Sequence, residues 1–496
     1  MCDMCCGMSR REFLGTASAG ILAAAAVGRA GAALGADGGA GVGAPPGYTK
    51  TRVLRLFTGC HPAWPRPDLD MPAEARRLQT EIDKVPGLED VEFLGNALVG
   101  DAEGVKKAIA EHKDVDGILA VQVSMGTGPL LAAMCDSGIP TVSYNTLYSG
   151  HEWCFIPDMQ RAGKKIDVIP SSRFEDVMGA IRPFRAIHRL KETRVLFVGG
   201  GYQPPPAYVE EIRKKLGVEI VPFDHKRLAE LYEAMDAAAV EAETERWVKQ
   251  AQEIREPSRE EIAKASRLCL AIQKALAVEK AQAITINCLG LFGMRGLPAY
   301  PCFGFVRLND MGLVGVCEAD LPSTLTQIIY QHMEGVPGFV TDPIFDTSND
   351  TVIHAHCVAA TKMDGPRGDS APYIIRSHLE DHKGAAVQTK MRIGQEITMA
   401  KLVGKAPPAN ARTLQLAAST PECNGVDTML VSTGKIVDVP DVDRACRTKI
   451  AVKVRDARKM LEGWSFGLHR VIFYGDHIAD TKRLGRFLGI QIVEEG

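Results

Sequence analysis

Seven of the chain's 12 histidines fall within one stretch: His332, His354, His356, His378, His382, His469 and His477. Glu318, Asp320, Asp346 and Asp350 lie in the same region. Imidazole mixed with carboxylate suits a divalent ion of the Mn, Co or Fe type, which takes oxygen with some nitrogen. A closed structural zinc site would use more thiolate. Such an ion stabilises negative charge developing on oxygen, and a pair of carboxylates beside it can remove and return a proton. Glu318 and Asp346 are 28 residues apart (346 − 318), which permits two neighbouring strand ends and forbids one helix face. Density alone assigns no ligand, because histidines also cap helices and fill cores.

The elements that must position these groups alternate. From Arg52, short β-rich runs (Val53 to Phe57, Val91 to Leu94, Gly117 to Val121, Thr141 to Tyr144) are interleaved with amphipathic helices (Ala73 to Lys84, Ala102 to His112, Leu130 to Cys135). That spacing predicts a parallel sheet wound by helices on both faces. A second unit begins at Arg194 to Val198, continues through a helix at Tyr208 to Leu216 and a strand at Val218 to Val221, and is closed by Ala283 to Cys288. Phe174 to Leu190 reads as a helical connector, and His225 to Val278 as a long helical segment broken once near Glu256-Pro257-Ser258. Gly199-Gly200-Gly201 follows a strand but lacks the spacing of a dinucleotide loop, so a tight turn is expected. Beyond residue 288 the pattern turns to loops and short strands up to Gly404, then to a β-rich segment. An α/β piece ends the chain, with a strand at Val471 to Tyr474, a helix at Ile478 to Leu488 and a strand at Ile490 to Val493. The fold class is therefore α/β, with two Rossmann-like parallel-sheet domains (48–172 and 173–300) and a mixed α/β domain with a β-rich segment (301–496).

Residues 1–47 read as a leader and linker. Ser9-Arg10-Arg11-Glu12-Phe13-Leu14-Gly15 has the form of a twin-arginine export signal, followed by an apolar run to Val27 and small residues at Ala30-Gly31-Ala32. Folded export to a periplasmic or other extracytoplasmic space is expected, and it suits a protein that acquires metal inside the cell. With 58 Lys and Arg against 61 Asp and Glu, no nucleic-acid surface is implied. After cleavage no membrane association is expected, and the partner sought is a small molecule. Cys2-Asp3-Met4-Cys5 has metal-like spacing but lies in the leader without a second pair. The other ten cysteines after the signal are scattered through apolar segments and read as buried small hydrophobes.

Val316-Cys317-Glu318-Ala319-Asp320, Ile344-Phe345-Asp346, Ala355-His356-Cys357 and Phe466-Gly467-Leu468-His469-Arg470, with Val471 to Asp476, resemble in order and surroundings the metal-binding segments of the L-fucose isomerase and L-arabinose isomerase superfamily. Ile374 to Asp381 resembles a segment of its sugar-isomerase-like members. The resemblance runs from Arg52 to Val493. It implies a metal-dependent aldose–ketose isomerase acting on a pentose, deoxyhexose or related sugar, with Mn²⁺ the preferred ion and a homo-oligomer as the assembly. Glu318 and Asp346 are implied as metal ligands and acid/base pair, with His469 and His356 as further ligands. The chain departs from the arabinose enzymes at Asp346, where they have Glu, and at His469-Arg470, where they have a double His. Physically, aldose–ketose conversion passes through a cis-enediol whose oxygens carry developing charge, which a chelating divalent ion stabilises.

Around this set stand open alternatives. Asp320 is a partner orienting a ligand or a helix cap ahead of Pro322. His354 shares a face with His356 if both lie on one strand, or is a packed histidine. His378 and His382, with Glu380 and Asp381, touch substrate or form a solvated loop, and Arg295 and Arg307 lie near enough to hold a sugar hydroxyl or acidic group. The alternative function is a non-enzymatic exported sugar-binding protein on the same scaffold, since fold does not fix function.

Overall fold

A computed structural model describes residues 47–64, 66–294, 296–405 and 424–496. The twin-arginine segment, the leader cysteines, Arg295 and Cys423 lie outside the described residues. The first sheet is parallel throughout, in the order β2-β1-β3-β4-β5, from β1 (Thr51–Thr58), β2 (Val91–Val99), β3 (Gly117–Gln122), β4 (Thr141–Asn145) and β5 (Ile166–Pro170). β3 is buried along its whole length, as expected of an interior parallel strand covered on both faces.

The second parallel sheet uses β6 (Arg194–Val198) and β7 (Glu219–Pro222). After a short strand β8 (Glu253–Ile254), it is completed by β9 (Ala283–Ile286) and β10 (Val314–Cys317), in the order β10-β9-β6-β7. β9 is thus interior and does not close the sheet, because β10 pairs along its free side with Cys317 opposite Ile286. The segment read as one long broken helix is three helices, His225–Glu233, Ala237–Gln250 and Arg259–Glu279. Its additional break is made by Asp236, whose side chain accepts the Ala239 N–H, as Ser258 does for Glu261 at the break read from Pro257.

Two helices, Cys302–Asp310 and Leu321–Glu334, occupy part of the region expected to hold only loops and short strands. Both are buried around nearly their full circumference, the second from Leu321 through Met333. A helix without a solvated face has no polar stripe to announce it in sequence.

The β-rich region is a closed barrel. β11 (Phe339–Asp346) and β12 (Thr351–His356) form a hairpin, and β13 (Tyr373–Arg376) and β14 (Ala386–Thr389) pair with β8 in a small separate sheet. β15 (Glu396–Val403), β16 (Thr428–Asp438), β17 (Thr448–Lys453) and β18 (Arg470–Tyr474) then complete a six-stranded antiparallel circuit, β11-β12-β17-β16-β15-β18. Closure gives each of these six strands a neighbour on both sides for part of its length, and β19 (Gln491–Glu494) adds in parallel to β16. The terminal strand read as a return to the α/β pattern, β18, is therefore an antiparallel barrel strand between β11 and β15. The barrel has its own core around Phe339, Val352, Ile397, Met399, Ile450 and Ile472, while a larger core runs through both parallel sheets and the helix Leu321–Glu334. Among the described residues, no helix is long and apolar enough to cross a membrane.

Candidate metal and acid/base site

Glu318 follows the last residue of β10, at the carboxyl edge of the second sheet. Glu318 and Ala319 both take left-handed conformations, with φ of 63° and 52°. Such backbone costs on the order of 1–3 kcal/mol per non-glycine residue and persists where the surroundings impose it. Here the Ala319 N–H donates to Ile286 O across the sheet edge (3.0 Å), and Asp320 immediately caps the helix Leu321–Glu334. The strained turn thus links strand to helix and lifts the Glu318 carboxylate over the edge.

Three strand ends meet it. Thr341 of β11 pairs with Arg470 of β18, which brings His469 beside Asp342. His356 ends β12. His469 Nε2 lies 3.1 Å from Asp342 Oδ1 and 3.6 Å from Glu318 Oε2, and His356 Nε2 lies 3.5 Å from Glu318 Oε1. Donor atoms of Asp342, His356 and His469 converge closely enough to surround one ion, as do those of Cys317, Glu318 and His356.

The protonation pattern sorts these groups. Asp320 performs both roles open to it: its carboxylate accepts the Ser323 N–H at the helix start (3.1 Å) and the His469 Nδ1–H (2.8 Å). With Nδ1 so held, the lone pair of His469 in its neutral form is on Nε2 and faces Glu318 and Asp342. This is the arrangement in which a carboxylate orients a metal-binding histidine. Burial alone would lower the pKa of His469; its contacts with Asp320 and Asp342 and the charges of Asp320 and Glu318 overcome that and push it up to about 10. Burial likewise opposes ionisation of Asp320, but Lys401, His469 and Ser323 hold its carboxyl well below the usual range. Three carboxylates around one imidazole make a site that calls for positive charge.

His356 behaves differently. Its Nδ1 accepts the backbone N–H of Cys357 (3.0 Å), so in the neutral ring the proton resides on Nε2 and points toward Glu318. A ligand role at Nε2 requires that proton to leave. Burial pushes the neighbouring Cys317 thiol far up, so it stands beside His356 as a neutral thiol and not as a thiolate ligand.

Asp346 is not brought to this site. It sits at the opposite end of β11, four residues or about 13 Å along the strand from Asp342, and its carboxylate accepts the N–H and hydroxyl of Ser348 (3.0 and 2.6 Å). The carboxylate that meets His356 and His469 is Asp342. Its Oδ1 is buried, and among the described residues its near partner is His469 Nε2 at 3.1 Å, an ion-pair contact without an aligned hydrogen bond. A buried carboxylate oxygen without an aligned donor is costly. The donor set of Asp342, His356 and His469, with Glu318 beside both imidazoles, therefore fits a divalent ion, and that ion would satisfy the buried oxygen. A signal for Asp342 was present in sequence, since an acidic residue inside an apolar β-rich run is disfavoured unless it is used.

The remaining candidates are accounted for locally. His354 is fully buried with Nδ1 on Thr341 Oγ1 (2.8 Å), and burial with the Arg470 charge lowers its pKa to about 3. His332 pairs with Thr193 (2.8 Å), His477 faces Glu334 and the Tyr474 carbonyl, and Asp350 accepts the Ala457 N–H. His378 stacks on Tyr300 with ring centroids 3.9 Å apart and touches Cys302 and Glu380, whereas the His382 backbone N–H donates to the His378 carbonyl. Gly199 forms the expected tight turn, with the Tyr202 N–H donating to its carbonyl (3.2 Å); a Cβ at Gly199 would lie 1.8 Å from Tyr202 O. Tyr202, Asn287, Leu289, Glu318 and Asp320 line a cleft of about 190 Å³, which gives Glu318 access to solvent.

No family model matches the chain. Among curated proteins, the sulfoquinovose isomerase of Clostridium sp. (strain MSTE9) is 25% identical over 183 residues, covering 35% of this chain and 36% of that protein. The sulfoquinovose isomerases of Priestia aryabhattai and Priestia megaterium are each 23% identical over 323 residues, covering 64% of this chain and 68% of each relative. The chain spans about a third of the first relative's length and about two thirds of the other two.

Proposed function

We propose that this protein is a metal-dependent aldose–ketose isomerase. The observation that carries the proposal is the convergence of Asp342, His356 and His469, with Glu318 beside both imidazoles at the edge of a cleft. The names of the distant relatives support the same class of reaction. Mn²⁺ is the proposed ion; when bound, it would polarise the sugar's carbonyl and hydroxyl oxygens and stabilise the charge of the cis-enediol.

The chain's own residues do the rest. Glu318, one-quarter exposed toward the cleft, and Asp342 are the proposed acid/base pair, one removing a proton at C2 and the other serving the oxygens. His356 Nε2 stands 3.5 Å from the Glu318 carboxylate, and Asp320 fixes the ring of His469. The substrate class is a pentose, deoxyhexose or related hexose, and the relatives' names put sulfoquinovose first among sugars to try. The leader makes the proposed compartment extracytoplasmic, and the proposed assembly is a homo-oligomer.

The test is exchange of the sugar's C2 hydrogen with solvent deuterium, in the presence of Mn²⁺, across pentoses, deoxyhexoses, hexoses and sulfoquinovose. Exchange together with ketose formation is expected. Tight sugar binding without either would mean a sugar-binding protein.

A further inference from the structure

We propose that Glu334 and His477 are positioning residues, a clamp that sets the spacing of the site from the far end of the helix Leu321–Glu334. The site lies where two elements begin. The helix starts at its cap Asp320, two residues beyond Glu318, and β18 starts at the residue after His469. Asp320 holds His469 Nδ1 there (2.8 Å). The helix has 14 residues and is therefore about 20 Å long. Near its other end Tyr330 stacks on Phe473 of β18, with ring centroids 4.1 Å apart, and its hydroxyl meets that of Thr481 (2.8 Å). At the end itself Glu334 Oε2 meets His477 Nδ1 and Arg182 Nε, each at 3.4 Å. Helix and strand thus run side by side, tied by a carboxylate and an imidazole at both ends.

The far pair depends on a proton. A carbonyl only accepts, so His477 Nε2–H donates to Tyr474 O (2.7 Å), and Nδ1 needs a second proton to face a carboxylate. The titratable and charged groups around His477 are Glu334 and Tyr330 from the helix, Arg182 from the helix Met178–Lys191, Tyr474 from β18, and Asp476 and Asp480 from its own segment; β15 offers the Thr398 hydroxyl, which accepts the His477 N–H (2.9 Å). Burial opposes a charge on the ring, but the contact with Glu334 and its charge, the Tyr474 carbonyl and the Asp480 charge together raise its pKa. Because folding raises this pKa, the clamp is complete below the unfolded value of about 6.5 and is lost as pH rises through the folded one. A neutral ring sets the Nδ1 lone pair against Glu334, whose Oε1 is already buried without a hydrogen-bond partner among the described residues. The helix can then shift as a unit along β18 and carry Asp320 away from His469.

The clamp rests on the proposed metal site, and two readouts on the full chain keep them apart: Mn²⁺ affinity by isothermal titration, and backbone hydrogen exchange of the Glu318–Ser323 segment in metal-free protein. Glu334→Gln and His477→Gln should each weaken Mn²⁺ binding about two- to thirtyfold and speed that exchange. Asp167→Asn removes a partner of Arg483 (2.9 Å) at the outer end of the same ionic cluster and should leave both readouts unchanged. In the wild type, affinity should climb with pH as the ligands shed protons and then fall above the His477 pKa, and the fall should be missing from His477→Gln. Wild-type affinity and exchange in both clamp variants, or an equal loss in Asp167→Asn, would overturn the proposal. A wild type that binds no Mn²⁺ would end the metal reading alone, and exchange in the metal-free variants would still decide the clamp.

Discussion

Two parallel sheets in this molecule each carry a glutamate beyond the carboxyl ends of their strands, with opposite fates. Glu152, at the first sheet, is buried and saturated: its carboxylate accepts the N–H groups of Gly126 (2.5 Å) and Thr127 (3.1 Å) and the amide of Gln122. Glu318, at the second, is one-quarter exposed, rises from a left-handed turn, and faces two histidines. Sheet topology does not separate the two places. Satisfaction does: one carboxylate has spent its acceptors on its own loops, and the other keeps them for something from outside.

The sharpest test of that contrast is Glu318→Gln, which preserves size and removes the charge. Turnover should fall by about 10² to 10⁴ at saturating Mn²⁺. Undiminished turnover in that variant would end the acid/base assignment. A second test works along one strand. Asp342→Asn should be nearly as damaging as Glu318→Gln, whereas Asp346→Asn, a change at a partly exposed turn, should leave turnover within about twofold and stability within roughly 0.5 kcal/mol. If the two outcomes were exchanged, the site would have been drawn at the wrong end of β11.

Asp320→Asn probes support for His469. Metal affinity should drop roughly 10- to 100-fold, with the turnover of fully loaded enzyme affected less. Isothermal titration with Mn²⁺ reads this directly. At the saturated end of the comparison, Glu152→Ala should lower stability by about 1–3 kcal/mol through unsatisfied N–H groups while leaving turnover intact below the melting range. The last test is a pH slope from His354. Its folded pKa of about 3 lies below an unfolded value near 6.5, so between these limits the unfolded chain binds the extra proton. Stability should therefore decline on acidification from pH 6.5 toward 3, by at most about 1.4 kcal/mol per unit from this residue. A thermal melt of His354→Gln should show a shallower acid slope than wild type.

The alternating sheets were legible because interior parallel strands and amphipathic helices leave different periodicities, and β1, β3, β4 and β6 fall where that periodicity places them. The barrel was legible only as β-rich texture, since closure depends on the pairing of β15 with both β16 and β18, which no local pattern encodes. Glu318 and His469 were found because they sit in ordered surroundings along the chain. Asp342 was overlooked in favour of Asp346 because both lie on one strand with equal side-chain parity, and only the pairing of Thr341 with Arg470 shows which end meets His469. The two helices flanking Glu318 were hidden by burial on every side.

The circuit of the barrel also sets an order in time. His469 is followed at once by β18, the strand that joins β11 to β15 and the last in chain order of the six that close the barrel. During synthesis the two parallel sheets have all their strands well before this point, so they can fold while the barrel is still an open ribbon. His469 and the last barrel strand leave the ribosome together. A nascent or truncated chain ending before residue 469 would carry Glu318 and Asp342 without the imidazole of the candidate site, so that site is assembled only once β18 has been made.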